Sequence, residues 1–215
     1  MSDSIFLYGE VDLPQIPSNL LVNADNFPQE KYVIDIGYGK IFEKHNQLKK
    51  NCAYAKWTID YKPLIDWVKN TVPPWPEVEA LTIQKNIANG TDKDTIFPAH
   101  HDVRRMFALN YVITTGGDSV ITSWFKDVNQ PLLRSLKKQI GMQTDTGAVE
   151  YKDLEFLASV HCDPGKWYLI RTNVLHDVDH VDGIRSAVTI PYFDENIVSE
   201  FKNQNLFKTI KEIDY

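Results

Sequence analysis

The chain has 215 residues, 43% of them hydrophobic and 24% charged, a balance that suits one globular domain spanning 1–215 with a full core. No apolar run approaches the roughly 20 residues of a bilayer-spanning helix. The acidic start, Met1-Ser2-Asp3-Ser4, lacks the basic-then-apolar pattern of an export signal, so a cytoplasmic chain is expected. The net charge of −6 argues against a nucleic-acid backbone as the main partner. Cys52 and Cys162 stand far apart, which points to free thiols rather than a disulfide framework.

No internal repeat or low-complexity tract interrupts the chain. Short apolar runs at Ile5-Phe6-Leu7-Tyr8 and Tyr32-Val33-Ile34-Asp35-Ile36 read as strands that extend a main sheet. Pro63 to Lys69 predicts a helix, with Pro in its first turn and apolar residues at 64, 65, 67 and 68; Pro73-Pro74-Trp75-Pro76 ends it. Ala80 to Ile87 alternates with a period of two and predicts a strand, followed by a turn at Asn89-Gly90-Thr91-Asp92. Met106 to Ile113 and Ser119 to Phe125 predict two more strands around the turn Thr115-Gly116-Gly117-Asp118.

Residues 126–150 are polar and irregular apart from a short helix expected over Pro131 to Lys138. Such a segment between core strands reads either as a lid over a site or as an idle connector. Strands follow at Lys152 to Val160 and Lys166 to Ile170, with the Pro164-Gly165 turn between them. Asp194 is placed to cap a terminal helix over about 194–211, with Ile197, Val198, Phe201, Leu206 and Ile210 as an imperfect apolar stripe. Many short strands with few helices predict a mainly β fold with flanking α.

The stretch that carries chemistry is Phe97-Pro98-Ala99-His100-His101-Asp102-Val103-Arg104-Arg105. In an extended strand His100 and Asp102 point to one face and His101 to the other. His-x-Asp alone is a weak signal, as common in a solvated loop as in a site. Its weight comes from the strands around it and from His176, which offers a third ligand. His180 is a rival for that position, but Asp177-Val178-Asp179 makes its surroundings look like a loop. Two imidazoles and one carboxylate on one face of a metal leave the other face open, as suits a non-heme Fe(II) that takes up a co-substrate and O₂. Arg185 opens the next strand-like run, Ser186 to Ile190, where a guanidinium suits the distal carboxylate of a dicarboxylate.

This ordered set, His100-x-Asp102, His176 and then Arg185, resembles the 2-oxoglutarate/Fe(II)-dependent dioxygenase superfamily. The resemblance covers about residues 81–193, with an N-terminal extension over 1–80. It implies a double-stranded β-helix core (jelly roll, cupin-like). It also implies His100, Asp102 and His176 as iron ligands and Arg185 as the anchor of 2-oxoglutarate. The implied reaction hydroxylates a substrate with release of succinate and CO₂. One departure is visible: some branches continue Arg-x-Ser, whereas here Arg185-Ser186-Ala187 leaves the hydroxyl partner to come from elsewhere or to be unused.

Asn110 or Tyr111, whichever faces inward, is a candidate to hydrogen-bond the co-substrate. Arg104 and Arg105 read as solvated, with the near carboxylate of 2-oxoglutarate or an acidic substrate as the alternative. Trp124 and Trp167 read as core, and His45 and His161 as structural. The substrate stays open among a protein side chain, an amino acid and a small metabolite. A cupin-like metal enzyme without 2-oxoglutarate, or a binding module on the same fold, remains an alternative.

Overall fold

The computed structural model describes residues 4–21, 52–59, 61–72, 81–88, 95–102, 105–133 and 153–214. Among them are two antiparallel sheets and three helices. The strands are β1 (Ser4–Val11), β2 (Cys52–Ile59), β3 (Leu81–Ala88), β4 (Thr95–His100), β5 (Phe107–Thr115), β6 (Ile121–Asp127), β7 (Leu154–Val160), β8 (Trp167–Arg171), β9 (Leu175–Val181), β10 (Ile184–Tyr192) and β11 (Phe207–Asp214). The helices are α1 (Ser18–Leu21), α2 (Lys62–Thr71) and α3 (Asn196–Asn203). No helix of the described residues is long and apolar enough to cross a membrane.

The larger sheet has seven strands in the order β11-β1-β8-β5-β10-β3-β2, and the smaller has four in the order β4-β9-β6-β7. The central strands pair in a nested way, β3 with β10, β4 with β9, β5 with β8 and β6 with β7. Chain neighbours therefore fall mostly in different sheets, and His100 and His176, far apart in sequence, meet on one pair of strands.

Alternation along β5 sorts the core into two halves. Phe107, Leu109 and Tyr111 point to one face and pack with Trp167, Leu169, Val188, Ile190 and the buried residues of α2 and α3. Ala108 and Val112 point to the other face and pack with Leu7, Trp124, Ala158 and Ile170 between the sheets. α2 buries Leu64 and Val68 and carries Pro63 in its first turn, where the missing N–H costs nothing.

The C-terminus departs from the expected helix over about 194–211. Helix α3 stops at Asn203, and Asn205 takes a φ of 54°, which turns the chain out of the helix. Residues 207–214 then form β11, paired antiparallel with β1 at the sheet edge. Phe207, Ile210 and Ile213 repeat every third residue and so mimic a helical stripe. Ile210 is in fact exposed, and β11 owes its place to the ladder with β1 rather than to burial. Asp194 does act at the start of α3, where its Oδ1 accepts the N–H of Asn196 at 2.9 Å.

The remaining expected strands fall within one to three residues of the observed ones. The run at 32–36, the turn at 89–92 and most of the helix at 131–138 lie outside the described residues; Pro131, Leu132 and Leu133 are not helical.

Candidate metal centre

β4 ends at His100, and the chain then leaves the sheet. Asp102 is thus not a strand residue, and strict alternation is not what aims it. Its backbone N–H donates to the Thr172 carbonyl at 2.9 Å, in the connection between β8 and β9, and this contact returns the carboxylate toward His100. His176 is the second residue of β9 and lies in register opposite both His100 on β4 and Trp124 on β6. Opposed residues of an antiparallel pair share a face. His100, His176 and Trp124 thus form a row, and Trp124 places that row on the face toward the larger sheet.

One ligand atom from each of His100, Asp102 and His176 lies within 4.8 Å of the others. His100 Nε2 stands 3.8 Å from Asp102 Oδ1, and the two imidazole rings are 4.5 Å apart between centroids. His176 Nδ1 donates to the Val174 carbonyl at 2.9 Å, which leaves Nε2 with its lone pair. Burial, with His100 beside it, pushes the His176 pKa down to about 3, so its imidazole is neutral and ready to ligate. Burial works to raise the Asp102 pKa, but Arg105 and the neighbouring histidines outweigh it and hold the carboxyl below its usual range. A neutral nitrogen donor and an ionised oxygen donor meeting at one point are what a divalent metal requires, and no proton has to be expelled from either near neutral pH.

Arg185 stands at the start of β10, on the same face of the larger sheet as Ala187 and Thr189. Its Nη1 and Nη2 both donate to Thr122 Oγ1 of the smaller sheet at 3.2 Å. Burial lowers its pKa, with Cys162 nearby acting the other way, and it remains a cation. Thr122 lies two residues from Trp124 on β6, about 7 Å along the strand. The cation and the His-Asp-His group therefore face the same space between the sheets, one strand repeat apart. Thr122 is a hydroxyl partner for Arg185 from outside the Arg-x-Ser position. Ser186 itself points the other way, within 2.9 Å of Thr114 Oγ1.

The two residues considered as co-substrate contacts separate. Asn110 shares the inward face with Ala108 and Val112 and is buried; Thr189 Oγ1 donates to its Oδ1 at 2.8 Å. That bond fixes the amide so that its NH₂ is the free end. Tyr111 is not brought to the site: it points to the helix-covered face and packs on Trp167 with ring centroids 5.0 Å apart. His101 Nδ1 donates to the Asn173 carbonyl at 3.1 Å and is not one of the clustered ligands. His180 is exposed, with a φ of 60°, and stands apart from them. His161 donates to the Val120 carbonyl at 2.8 Å, a structural contact. Trp124 and Trp167 are core, each with its indole N–H on a backbone carbonyl.

Sequence reading missed Arg105, treated as solvated. Its Nε holds Asp102 Oδ2 at 2.5 Å. A cation three positions after the carboxylate was the available signal. Thr172, Thr122 and Thr189 had none, because their roles exist only through pairing across the fold. Arg104, His45 and residues 134–150 lie outside the described residues.

The chain is a mainly β protein of two antiparallel sheets with a His-Asp-His group able to hold a metal ion. No protein-family model matches it, and the comparison with curated proteins returned no match.

Proposed function

We propose that this chain is an Fe(II)- and 2-oxoglutarate-dependent oxygenase that hydroxylates a substrate C–H bond. The co-substrate and O₂ are converted to succinate and CO₂, with one oxygen atom in the hydroxylated product and one in succinate. The observation that carries the reading is the placement of His100, Asp102 and His176 within 4.8 Å of one another. Arg185 lies across the same inter-sheet space. We also read the core as a double-stranded β-helix. The nested pairing of β3–β10 supports this, since a long hairpin rolled on itself pairs its outermost strands first and its innermost last.

The residues divide the work. His176 Nε2, His100 and Asp102 Oδ1 would hold the ion on one face. Bound Fe(II) would supply the redox chemistry that couples decarboxylation of 2-oxoglutarate to hydroxylation. Arg185 would bind the distal carboxylate through two parallel donors, exchanging its neutral contact with Thr122 for a charge-assisted one. Asn110, its carbonyl occupied by Thr189, would present NH₂ to an oxygen of the co-substrate. Trp124, fully buried opposite His176, closes the inner wall and keeps water from the space behind the ligands.

Anaerobic calorimetry tests the assignment. Fe(II) should bind first, and 2-oxoglutarate should bind tightly only to the metal-loaded chain. Binding of 2-oxoglutarate that ignores the metal, or metal uptake with no binding of 2-oxoglutarate, would leave a metal site of another kind.

A further inference from the structure

The carboxylate of Asp102 has two oxygens in different surroundings. Oδ1 faces His100 Nε2 at 3.8 Å, while Oδ2 accepts from Arg105 Nε at 2.5 Å. Asp102 and Arg105 are both tied to one residue of the β8–β9 connection. Thr172 accepts the Asp102 N–H at 2.9 Å, donates its own N–H to the Met106 carbonyl at 2.8 Å and donates Oγ1 to the Arg105 carbonyl at 3.1 Å. Asp102 and Arg105 retain only 19% and 11% side-chain exposure, so water competes little for Oδ2. The carboxylate plane is therefore set from two sides, by the backbone at its root and by the guanidinium at its tip.

We propose that Arg105 is a positioning residue that confines Asp102 to ligation through Oδ1 alone. The inference rests on the His100-Asp102-His176 metal reading and deepens it. A carboxylate free to rotate can chelate through both oxygens. On a six-coordinate ion, two imidazoles and a chelating carboxylate leave about two positions, whereas a single oxygen leaves about three. A co-substrate that binds through two atoms needs the third position if O₂ is to bind beside it. Arg105 thereby sets how many partners the metal can hold, without touching the metal.

The test counts exchangeable waters on bound Mn(II) by water-proton relaxation, in wild type and in Arg105→Met and Arg105→Lys. Wild type should carry about three such waters. Arg105→Met should still bind one Mn(II) per chain, with affinity equal or tighter, and relaxivity should fall by about one third as Oδ2 takes a water's place. Arg105→Lys, which keeps a cation near Oδ2, should recover most of the loss. A wild-type chain with about two waters overturns the proposal without any variant. So does an Arg105→Met protein that binds Mn(II) with unchanged relaxivity, or one whose metal affinity falls while its relaxivity per bound ion holds. Failure of wild type to bind Mn(II) or Fe(II) at all sinks the metal reading itself and is distinct from these results.

Discussion

Replacing His176 by Asn tests how its burial is linked to stability. Asn keeps a side-chain N–H for the Val174 carbonyl, which His176 Nδ1 now reaches at 2.9 Å, but cannot titrate. The His176 pKa lies at about 3 in the folded chain, pushed down by burial and by His100, against an ordinary value of 6.5. As pH falls below 6.5, the unfolded chain takes up a proton that the folded chain refuses. The stability contributed by this neutral imidazole is therefore fully present above pH 6.5 and is withdrawn progressively toward pH 3. At pH 5 the unfolded imidazole is protonated about 30 to 1, so the loss between pH 7.5 and 5 is about 2 kcal/mol. Asp102, whose pKa is also depressed, adds a loss of the same sign, but only as pH falls below its ordinary value of 3.8, outside this window. Urea unfolding of chelator-treated protein at half-unit pH steps measures the slope. Wild type should lose about 2 kcal/mol more than His176→Asn over that range. Parallel profiles for the two proteins would show that His176 is not held neutral by the fold.

Arg185→Ala should weaken 2-oxoglutarate binding to the metal-loaded chain by about 2–5 kcal/mol, and Arg185→Lys by less, with metal affinity little changed. Calorimetry reads both, and equal affinity in wild type and Arg185→Ala would remove Arg185 from the site. Gly116 has a φ of +81°, and a Cβ there would stand 2.8 Å from the Arg185 backbone nitrogen. Gly116→Ala should thus cost about 1–3 kcal/mol in unfolding experiments and weaken 2-oxoglutarate binding more than metal binding, because the strain falls on the strand that carries Arg185. Leu169, fully buried under α2 and α3, should cost about 2–5 kcal/mol when cut to Ala, with metal stoichiometry unchanged in the folded fraction.

The sequence was most informative where function and periodicity coincide. Alternation marked β3, apolar runs bounded by turns marked β5, β6 and β8, and the residue types of His100, Asp102 and His176 marked a ligand set that pairing across β4 and β9 then brings together. Asp102 does reach His100, but not through the strand alternation that its spacing suggests. β4 ends at His100, and a backbone hydrogen bond to Thr172 aims the carboxylate. That bond joins residues far apart in sequence and leaves no local trace. β11 was hidden for a related reason. Its apolar residues repeat every third position, and it is a strand only because β1, at the opposite end of the chain, offers it an edge. Arg105 was legible in principle, three residues after a carboxylate, but spacing alone does not separate a tethered guanidinium from a solvated one. The polar composition of 126–150 suits a lid or a connector equally. β6 runs to Asp127 and a turn follows, with Asp127 Oδ1 accepting the Asn129 N–H at 2.8 Å. Residues 134–150 lie outside the described residues.

The most direct measurement of the proposed activity is succinate formation by Fe(II)-loaded protein in air, followed together with O₂ uptake and with 2-oxoglutarate as the added co-substrate. The account predicts slow succinate release in step with O₂ consumption even without the natural substrate. That release should be faster with a correct substrate from a panel of peptides, amino acids and small metabolites, and should be abolished by His100→Ala, by His176→Ala and by omission of Fe(II). A chain that binds Fe(II) and 2-oxoglutarate together yet forms no O₂-dependent succinate with any candidate would contradict it.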